Sequence, residues 1–414
     1  MKPHRVLGII MAGGKGERLL PLTEVRSKPA VPFGGAYRII DFVLSNFINS
    51  GITALYVLVQ YRSQSLIEHL REAWQVGGHI KSEFVSIVPP QMRTREGWYE
   101  GTADAVFQNL NLIEDFQPDT IAVFGADHVY RMDIRQMVRQ HIERDADVTV
   151  AVLPVAIEAA RGFGIVEADP TGRMIGFEEK PAAPKAMPGR AGYALSSMGN
   201  YLFKTETLVP ILQRDAARPG THDFGRNIVP ELLADHAVHI YDLHTNEIPG
   251  LHPYEERAYW RDVGTLEAYW NANMDLLGET PAFDLRNPGW PIMSSSYDGP
   301  MASLVRTQID DAMVGQGSHC VGAEIRRSIV GRGVRIEAGV RLEECVILDD
   351  VHIGTQASLR RVIADRRSVI PPRSRIGFDA AQDRDRFHVS PTGLGLVVVP
   401  HPSASNSRLL RQAS

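Results

Sequence analysis

The chain has 414 residues, of which 44% are hydrophobic and 22% charged, and it carries a net charge of −5 at pH 7. That length leaves room for two or three domains, and the composition is ordinary for a soluble globular protein. The negative balance argues against a broad nucleic-acid-binding surface, and the two cysteines, Cys320 and Cys345, make neither a disulfide framework nor a metal motif, so a reducing cytoplasm is the expected setting.

The first apolar run, Val6 to Met11, is too short for a secretory signal or a bilayer span, and no membrane segment is expected. It reads as a buried parallel strand that feeds the loop Gly13-Gly14-Lys15-Gly16-Glu17-Arg18-Leu19. Three glycines in four positions let backbone N–H groups approach an anion, and Arg18 and Lys28 add cationic donors. The loop lacks the Ser or Thr of a P-loop, and Leu19 stands where the dinucleotide fingerprint needs a glycine. It is therefore a third kind of phosphate cradle or a structural turn. Residues 20–35, with prolines at 21, 29 and 32 and glycines at 34 and 35, read as a long ordered loop.

A helical stripe of Ile39, Ile40, Phe42, Val43, Leu44, Phe47 and Ile48 ends at Gly51. Strands follow over 54–60, 84–88 and 120–124, with a helix over 63–74 between the first two. This alternation predicts right-handed βαβ units and a mostly parallel, Rossmann-like sheet. Asp133 caps a helix whose apolar face is Ile134, Met137, Val138 and Ile142. A further strand spans 148–153, a strand-rich antiparallel insertion spans 162–203, and a last helix runs from Thr265 to Leu277. Proline, glycine and serine mark 279–300 as a linker. Beyond it, small aliphatics recur every five or six residues: Val314, Val321, Ile325, Ile329, Val334, Ile336, Val340, Leu342, Val346, Val351 and Ile353. That period predicts a β-helix whose inward aliphatics stack coil upon coil. A strand is expected over 396–399, and the polar residues 403–414 are expected to be mobile. The boundaries are thus 1–278 for an α/β domain, 279–300 for the linker and 301–414 for the β-helix with its tail.

Several side chains are suited to chemistry, each with a plain structural reading beside it. Asp127, just after the strand at 120–124, is a metal-binding carboxylate near the phosphate loop or a helix cap. Asp262 is a second metal ligand or the cap of the helix at Thr265. Trp98-Tyr99-Glu100-Gly101-Thr102 sets aromatics and a small-residue turn beside a base or sugar, or simply packs in the core. Glu179 beside Lys180 offers a carboxylate for sugar hydroxyls and an ammonium for a phosphate, or is an exposed ion pair. His236 and His239 lack neighbouring ligands and read as ordinary surface or core histidines.

Taken together, Gly13-Gly-Lys-Gly-Glu-Arg-Leu with Pro21-Leu-Thr and Lys28-Pro29, Gly125-Ala-Asp-His, Phe177-Glu-Glu-Lys-Pro, Ser197-Met-Gly and Trp260-Arg-Asp-Val-Gly-Thr resemble the sugar-nucleotide pyrophosphorylases. Phe33-Gly-Gly-Ala-Tyr-Arg-Ile-Ile-Asp-Phe-Val-Leu-Ser-Asn and Trp98-Tyr-Glu-Gly-Thr-Ala-Asp-Ala narrow the resemblance to the bacterial glucose-1-phosphate adenylyltransferases, from about residue 5 to about residue 400.

The resemblance implies a nucleotidyltransferase fold with a left-handed parallel β-helix. It implies a reaction of ATP with α-D-glucose 1-phosphate to ADP-glucose and pyrophosphate in glycogen synthesis, with Mg²⁺. By matching position, Arg18, Lys28 and Asp127 would be catalytic, and Asp127 and Asp262 would hold the metal. Gly13, Gly14, Gln60, Gly101 and Thr102 would line the nucleotide side. Tyr99, Gly164, Glu179, Lys180 and Ser197 would bind glucose 1-phosphate. Small anionic effectors would meet Arg26 and Arg38, Gln60 and Trp98 would relay the regulatory signal, and the assembly would be a homotetramer. Allosteric control by a glycolytic metabolite is implied, but Val25 departs from the basic residue common in relatives and His401 with neutral neighbours replaces C-terminal arginines, so the resemblance leaves open whether fructose 1,6-bisphosphate is the activator. UDP-, dTDP- or GDP-sugar synthesis on the same fold, a non-catalytic regulatory subunit and a β-helix acyltransferase using His319 or His352 are the alternatives.

Overall fold

The computed structural model describes residues 4–75, 82–91, 97–391 and 393–404. Val6–Ala12 is the central strand of a nine-stranded sheet. It runs parallel to Ala54–Val59 on one side and to Thr120–Gly125 on the other, and Phe84–Val88 continues the parallel series. In register, Ala12 faces Val59 and Met11 faces Gly125. The segments that leave these strands, at Gly13, Gln60 and Asp127, therefore share one edge, the carboxyl edge where open α/β sheets bind ligands.

Beyond Thr120–Gly125 the sheet turns antiparallel. Tyr193–Lys204 pairs with that strand, with Val148–Ala156 and with the hairpin of Gly164–Ala168 and Met174–Glu179. Val238–Asp242 closes the sheet in parallel with Val148–Ala156. The strand-rich region expected over 162–203 is thus part of the main sheet, and its hairpin carries Glu179 and Lys180 to the site. Alternate residues of the central strand feed two cores: Ile10 and Ala12 pack on one face, Leu7 and Ile9 on the other.

Local chemistry explains the helices. In Ile39–Asn49 the Asp41 side chain accepts from the N–H of Arg38, which starts the helix. Asp133 caps Ile134–Glu143 by accepting from the N–H of Arg135. The inner face of that helix differs from the sequence reading, because His141 is buried and Ile142 is 48% exposed. At 3.6 residues per turn, position 141 lies about 20° from Ile134 and position 142 about 80°.

Residues 279–300 contain no helix or strand, yet they form a fastened strap rather than a loose connection. Phe283 and Trp290 are buried, the Trp290 indole donates to Asn46 Oδ1 at 3.1 Å, and the Ser294 hydroxyl donates to Asp41 at 2.7 Å.

After the strap, three stacks of short parallel strands form a prism, the third of them ending in the antiparallel strand His388–Val389. Ser303 pairs with His319, which pairs with Arg335, so these coils take 16 residues each; Arg335 pairs with His352 at a step of 17. This is the arrangement of a left-handed parallel β-helix. Ile325, Val334, Ile336, Val340, Leu342, Val351 and Ile353 fill its interior as expected. Ile329 and Val346 do not; they face the α/β domain, while their neighbours Val330 and Ile347 point inward. Strand alternation dictates this: wherever two adjacent strand residues are apolar, both faces are covered. Val314 and Val321 are only partly buried. The last strand, Val397–Val399, joins the same stack. His319 is exposed and the His352 side chain half-exposed, both on the outer surface of the prism. The expectation of a mobile tail falls chiefly on 405–414, outside the described residues.

The two domains share one apolar cluster, in which Ile329, Val346, Ile363 and Val398 meet Leu19, Leu22, Phe33 and Trp270. Each fully buried side chain of this size contributes about 1.5–3 kcal/mol.

Candidate active site

A cavity of about 880 Å³ opens along the carboxyl edge of the parallel strands. Gly13, Gly14, Arg18, Lys28, Gln60, Tyr99, Gly101, Thr102, Asp127, Gly164, Glu179, Lys180, Ser197 and Asp262 all line it. Residues up to 249 positions apart in sequence are thereby brought to one space.

At one end lies the glycine loop. Gly16 takes a φ of +64°, which lets the chain turn into the short helix Glu17–Leu19. A Cβ on Gly14 would meet nothing within 4 Å. The glycine there is not demanded by packing; it leaves open room beside the backbone, as a phosphate cradle needs. Arg18 extends over the mouth, 63% exposed, with its guanidinium 3.8 Å from Asp262.

Lys28 is buried at the floor. Its ammonium donates to Asp127 Oδ2 at 3.0 Å and to Asp262 Oδ1 at 2.9 Å. Burial opposes the charge on Lys28, but the two carboxylates outweigh it and raise its pKa above the ordinary value. Burial likewise works against ionisation of Asp127, and Lys28 and then His128 overcome it, so that its carboxyl sits well below the usual range. Asp127, His128 and Asp262 each offer a ligand atom, all within 4.8 Å of one another. Two carboxylates facing a shared space are the hard oxygen donors a divalent cation of the Mg²⁺ type prefers. His128 is packed on Trp260, with ring centroids 4.7 Å apart. Asp262 arrives on the strand Trp260–Asp262, which pairs with His128–Tyr130, so backbone register rather than sequence proximity brings the carboxylates together. Neither aspartate is a helix cap: Thr265 caps the helix Leu266–Met274 and Asp133 caps Ile134–Glu143.

At the other end stand Glu179 and Lys180. The Lys180 ammonium donates to Glu179 Oε1 at 2.5 Å, and Lys180 holds a φ of +52°. A non-glycine residue in this region is held by its surroundings, here by the Lys180 N–H donating to Phe163 O at 3.0 Å. Gly164 leaves room for both neighbours: a Cβ there would come within 2.5 Å of the Phe177 ring and 2.7 Å of Glu179 Oε2. The Ser197 hydroxyl accepts from Gly199 N at 3.2 Å.

Several expected ligand groups are already engaged. The Gln60 amide pairs with the Tyr99 backbone in both directions, at 3.2 and 3.0 Å. The Tyr99 hydroxyl accepts from Asn109 at 3.0 Å, and the Thr102 hydroxyl donates to Asp223 at 2.9 Å. Trp98, 63% exposed, is adjacent to this pairing but does not line the cavity.

Arg26 and Arg38 also lie away from the cavity. Arg26 is buried and reaches both oxygens of Asp365 in the prism, at 2.8 and 3.1 Å, so its guanidinium is not free to meet an effector as the sequence reading had it. Arg38 donates to Ala30 O; burial first, then Arg366, push its pKa down to about 10.

The sequence reading missed Asp223, Arg226 and Thr221, which line the same cavity. Asp223 accepts from Gly225 N and Arg226 N, as the cap of a short helical turn. The cap pattern was visible in the sequence, but nothing there set it opposite Glu179.

Residues 7–279 match the nucleotidyl transferase family, and residues 301–399 match the GlmU-like C-terminal hexapeptide family. The chain is 49% identical over 391 residues to a glucose-1-phosphate adenylyltransferase of Thermodesulfovibrio yellowstonii, covering 94% of this chain and 95% of the relative. It is 47% identical to glucose-1-phosphate adenylyltransferase 1 of Vibrio parahaemolyticus (95% of this chain, 98% of the relative) and 47% identical to the enzyme of that name from an Anaeromyxobacter species (96% and 98%). The chain belongs to the nucleotidyl transferase family and, within it, to the family of glucose-1-phosphate adenylyltransferases.

Proposed function

We propose that the protein transfers the adenylyl group of ATP to α-D-glucose 1-phosphate, giving ADP-glucose and pyrophosphate. One observation carries this reading: a glycine-and-cation cradle and the Glu179–Lys180 pair face each other across a single cavity, with the carboxylates of Asp127 and Asp262 between them. A phosphate oxygen of the sugar phosphate attacks the α-phosphorus of ATP, the new P–O bond forms, and the bond to the β-phosphate bridging oxygen breaks as pyrophosphate leaves. No covalent enzyme intermediate is needed, so catalysis is positioning and charge neutralisation.

Arg18 and Lys28 stabilise the triphosphate and the leaving pyrophosphate, while Gly13, Gly14, Gln60, Gly101 and Thr102 form the nucleotide side. Tyr99, Gly164, Glu179, Lys180 and Ser197 form the sugar-phosphate side. Asp127 and Asp262 are the residues that would hold Mg²⁺, which when bound neutralises phosphate charge. Lys28 donates to these same two carboxylates and neutralises them.

The setting is the committed step of bacterial glycogen synthesis, in the cytoplasm, by a homotetramer under allosteric control. Among the described residues no helix is long and apolar enough to cross a membrane. Anionic effectors meet Arg38, whose pKa is lowered by burial and then by Arg366 and Arg26, both of which disfavour its charge. Gln60, paired with the backbone of Tyr99 beside Trp98, relays between the cavity and that region.

The test is pyrophosphate release from glucose 1-phosphate with ATP, UTP, dTTP and GTP in turn, with and without sugar phosphates, pyruvate and AMP. ATP is expected to give the highest rate. UTP clearly exceeding ATP overturns the substrate assignment, and a rate indifferent to every effector overturns the regulation.

A further inference from the structure

One buried histidine behind the cavity wall is joined to two separate segments. His222 lies between the helix Thr205–Ala216 and the short turn Phe224–Ile228, and it is 4% exposed. Its φ is +47°, a conformation that a side chain of this kind keeps only where neighbouring contacts impose it. Those contacts are visible. Nδ1 donates to the Asp215 carboxylate at 2.7 Å, and Nε2 faces Glu100 Oε2 at 3.6 Å. The His222 carbonyl accepts from Ala103 N at 2.8 Å and from Asp104 N at 3.3 Å.

The same peptide shapes the cavity. A Cβ on Gly101 would collide with the carbonyl oxygens of Thr221 and His222, so this backbone presses directly on Gly101. The next residue, Asp223, holds the Thr102 hydroxyl, and a Cβ on Gly225 would come within 3.0 Å of Glu179 Oε2. The segment after His222 is therefore the wall that meets Gly101 and Thr102 on one side and Glu179 on the other.

We propose that His222 is a positioning residue for the sugar-phosphate half of the site: gripped by Asp215 and facing Glu100, it fixes the peptide that sets Asp223 opposite Glu179. It touches no reacting atom. Its imidazole holds a left-handed backbone in place, and that backbone fixes the wall. The inference rests on Glu179 and Lys180 binding the sugar phosphate.

The experiment is steady-state kinetics of the full-length enzyme with both substrates varied, on His222→Ala, His222→Asn and Asp215→Ala. His222→Ala is expected to raise KM for glucose 1-phosphate about tenfold, with kcat and the KM for ATP within about threefold of the parent. Asn tolerates a positive φ and can donate to Asp215, so His222→Asn restores most of the loss. Asp215→Ala, outside the cavity, shifts the same constant in the same direction and carries the test if His222→Ala does not fold. An unchanged KM for glucose 1-phosphate in folded variants overturns the proposal. So does an equal rise in both KM values, or a His222→Asn variant no better than His222→Ala. A parent enzyme that releases no pyrophosphate from ATP and glucose 1-phosphate refutes the functional reading itself, before any variant is measured.

Discussion

Arg26 of the catalytic domain and Asp365 of the prism meet at 2.8 Å, both buried, 339 residues apart in sequence. Arg26 also donates to Leu22 O at 2.9 Å, in the segment between the glycine loop and Lys28. The polypeptide that carries the glycine loop is thus tied to the second domain by a charged pair beside a shared apolar cluster.

Removing one partner should be far worse than removing both. Asp365→Ala leaves a buried guanidinium uncompensated and should cost about 3–5 kcal/mol. The double variant Arg26→Met with Asp365→Leu should recover more than half of that, because both charges go together. Denaturant midpoints of the three proteins measure it. A double variant as unstable as Asp365→Ala would mean that the contact matters through shape alone.

Arg18 and Lys180 should fail in different ways. Arg18 is exposed at the cavity mouth; in the proposed role it would meet charge that develops as pyrophosphate departs, so Arg18→Ala should lower kcat by about 10²–10³. In the proposed role Lys180 would make a ground-state phosphate contact, and Lys180→Ala should chiefly raise KM for glucose 1-phosphate. A near-normal kcat in the first, or a change confined to KM for ATP in the second, contradicts these roles.

Gly101→Ala tests the fit between the nucleotide side and the 221–222 peptide. The added methyl meets backbone oxygens that cannot rotate away, so the wall itself must shift. A loss of about 1–3 kcal/mol in stability is expected, together with a raised KM. A variant with unchanged thermal midpoint and kinetics would show that the two segments are not held against each other.

His141 gives the protein an acid-sensitive element remote from the site. Burial, then the charges of Lys204 and His4, push its pKa from 6.5 down to about 4. Its Nδ1 is bonded to Thr149 Oγ1 at 2.8 Å, and the ring stays neutral in the fold. The unfolded chain takes up a proton near pH 6.5 that the folded chain refuses until about pH 4, so stability is full above 6.5 and falls as pH drops through that window. The loss reaches about 3 kcal/mol at the lower end. In His141→Gln the slope of stability against pH between 6.5 and 4 should flatten; an unchanged slope would place the acid sensitivity elsewhere.

Much of the site was legible because its residues sit in short motifs at strand ends. Gly13 and Asp127 each follow an apolar strand, and the parallel sheet brings such ends to one edge; Asp262 joins them through antiparallel pairing of Trp260–Asp262 with His128–Tyr130. What escaped was the state of each group. Thr102, Tyr99 and Gln60 look like free ligands in the sequence, and in the fold their polar atoms are partly engaged by Asp223, Asn109 and the Tyr99 backbone. Residues 279–300 read as a linker because proline and glycine break regular structure, but a lack of helix or strand does not imply looseness. Phe283 and Trp290 are buried and anchor that segment.

The sequence by itself determined the periodic and local features: the βαβ alternation, the glycine loop, the caps and the coil repeat of the prism. These depend on neighbours along the chain, so they are written in spacing. Only the tertiary structure decided that Ile329 and Val346 face the catalytic domain, that Arg26 is neutralised by Asp365, and that Lys28 lies between Asp127 and Asp262. A residue's partner across a fold is set by sheet register and domain packing. Burial then makes the pairing of each charge obligatory, and no one-dimensional pattern records which partner that will be.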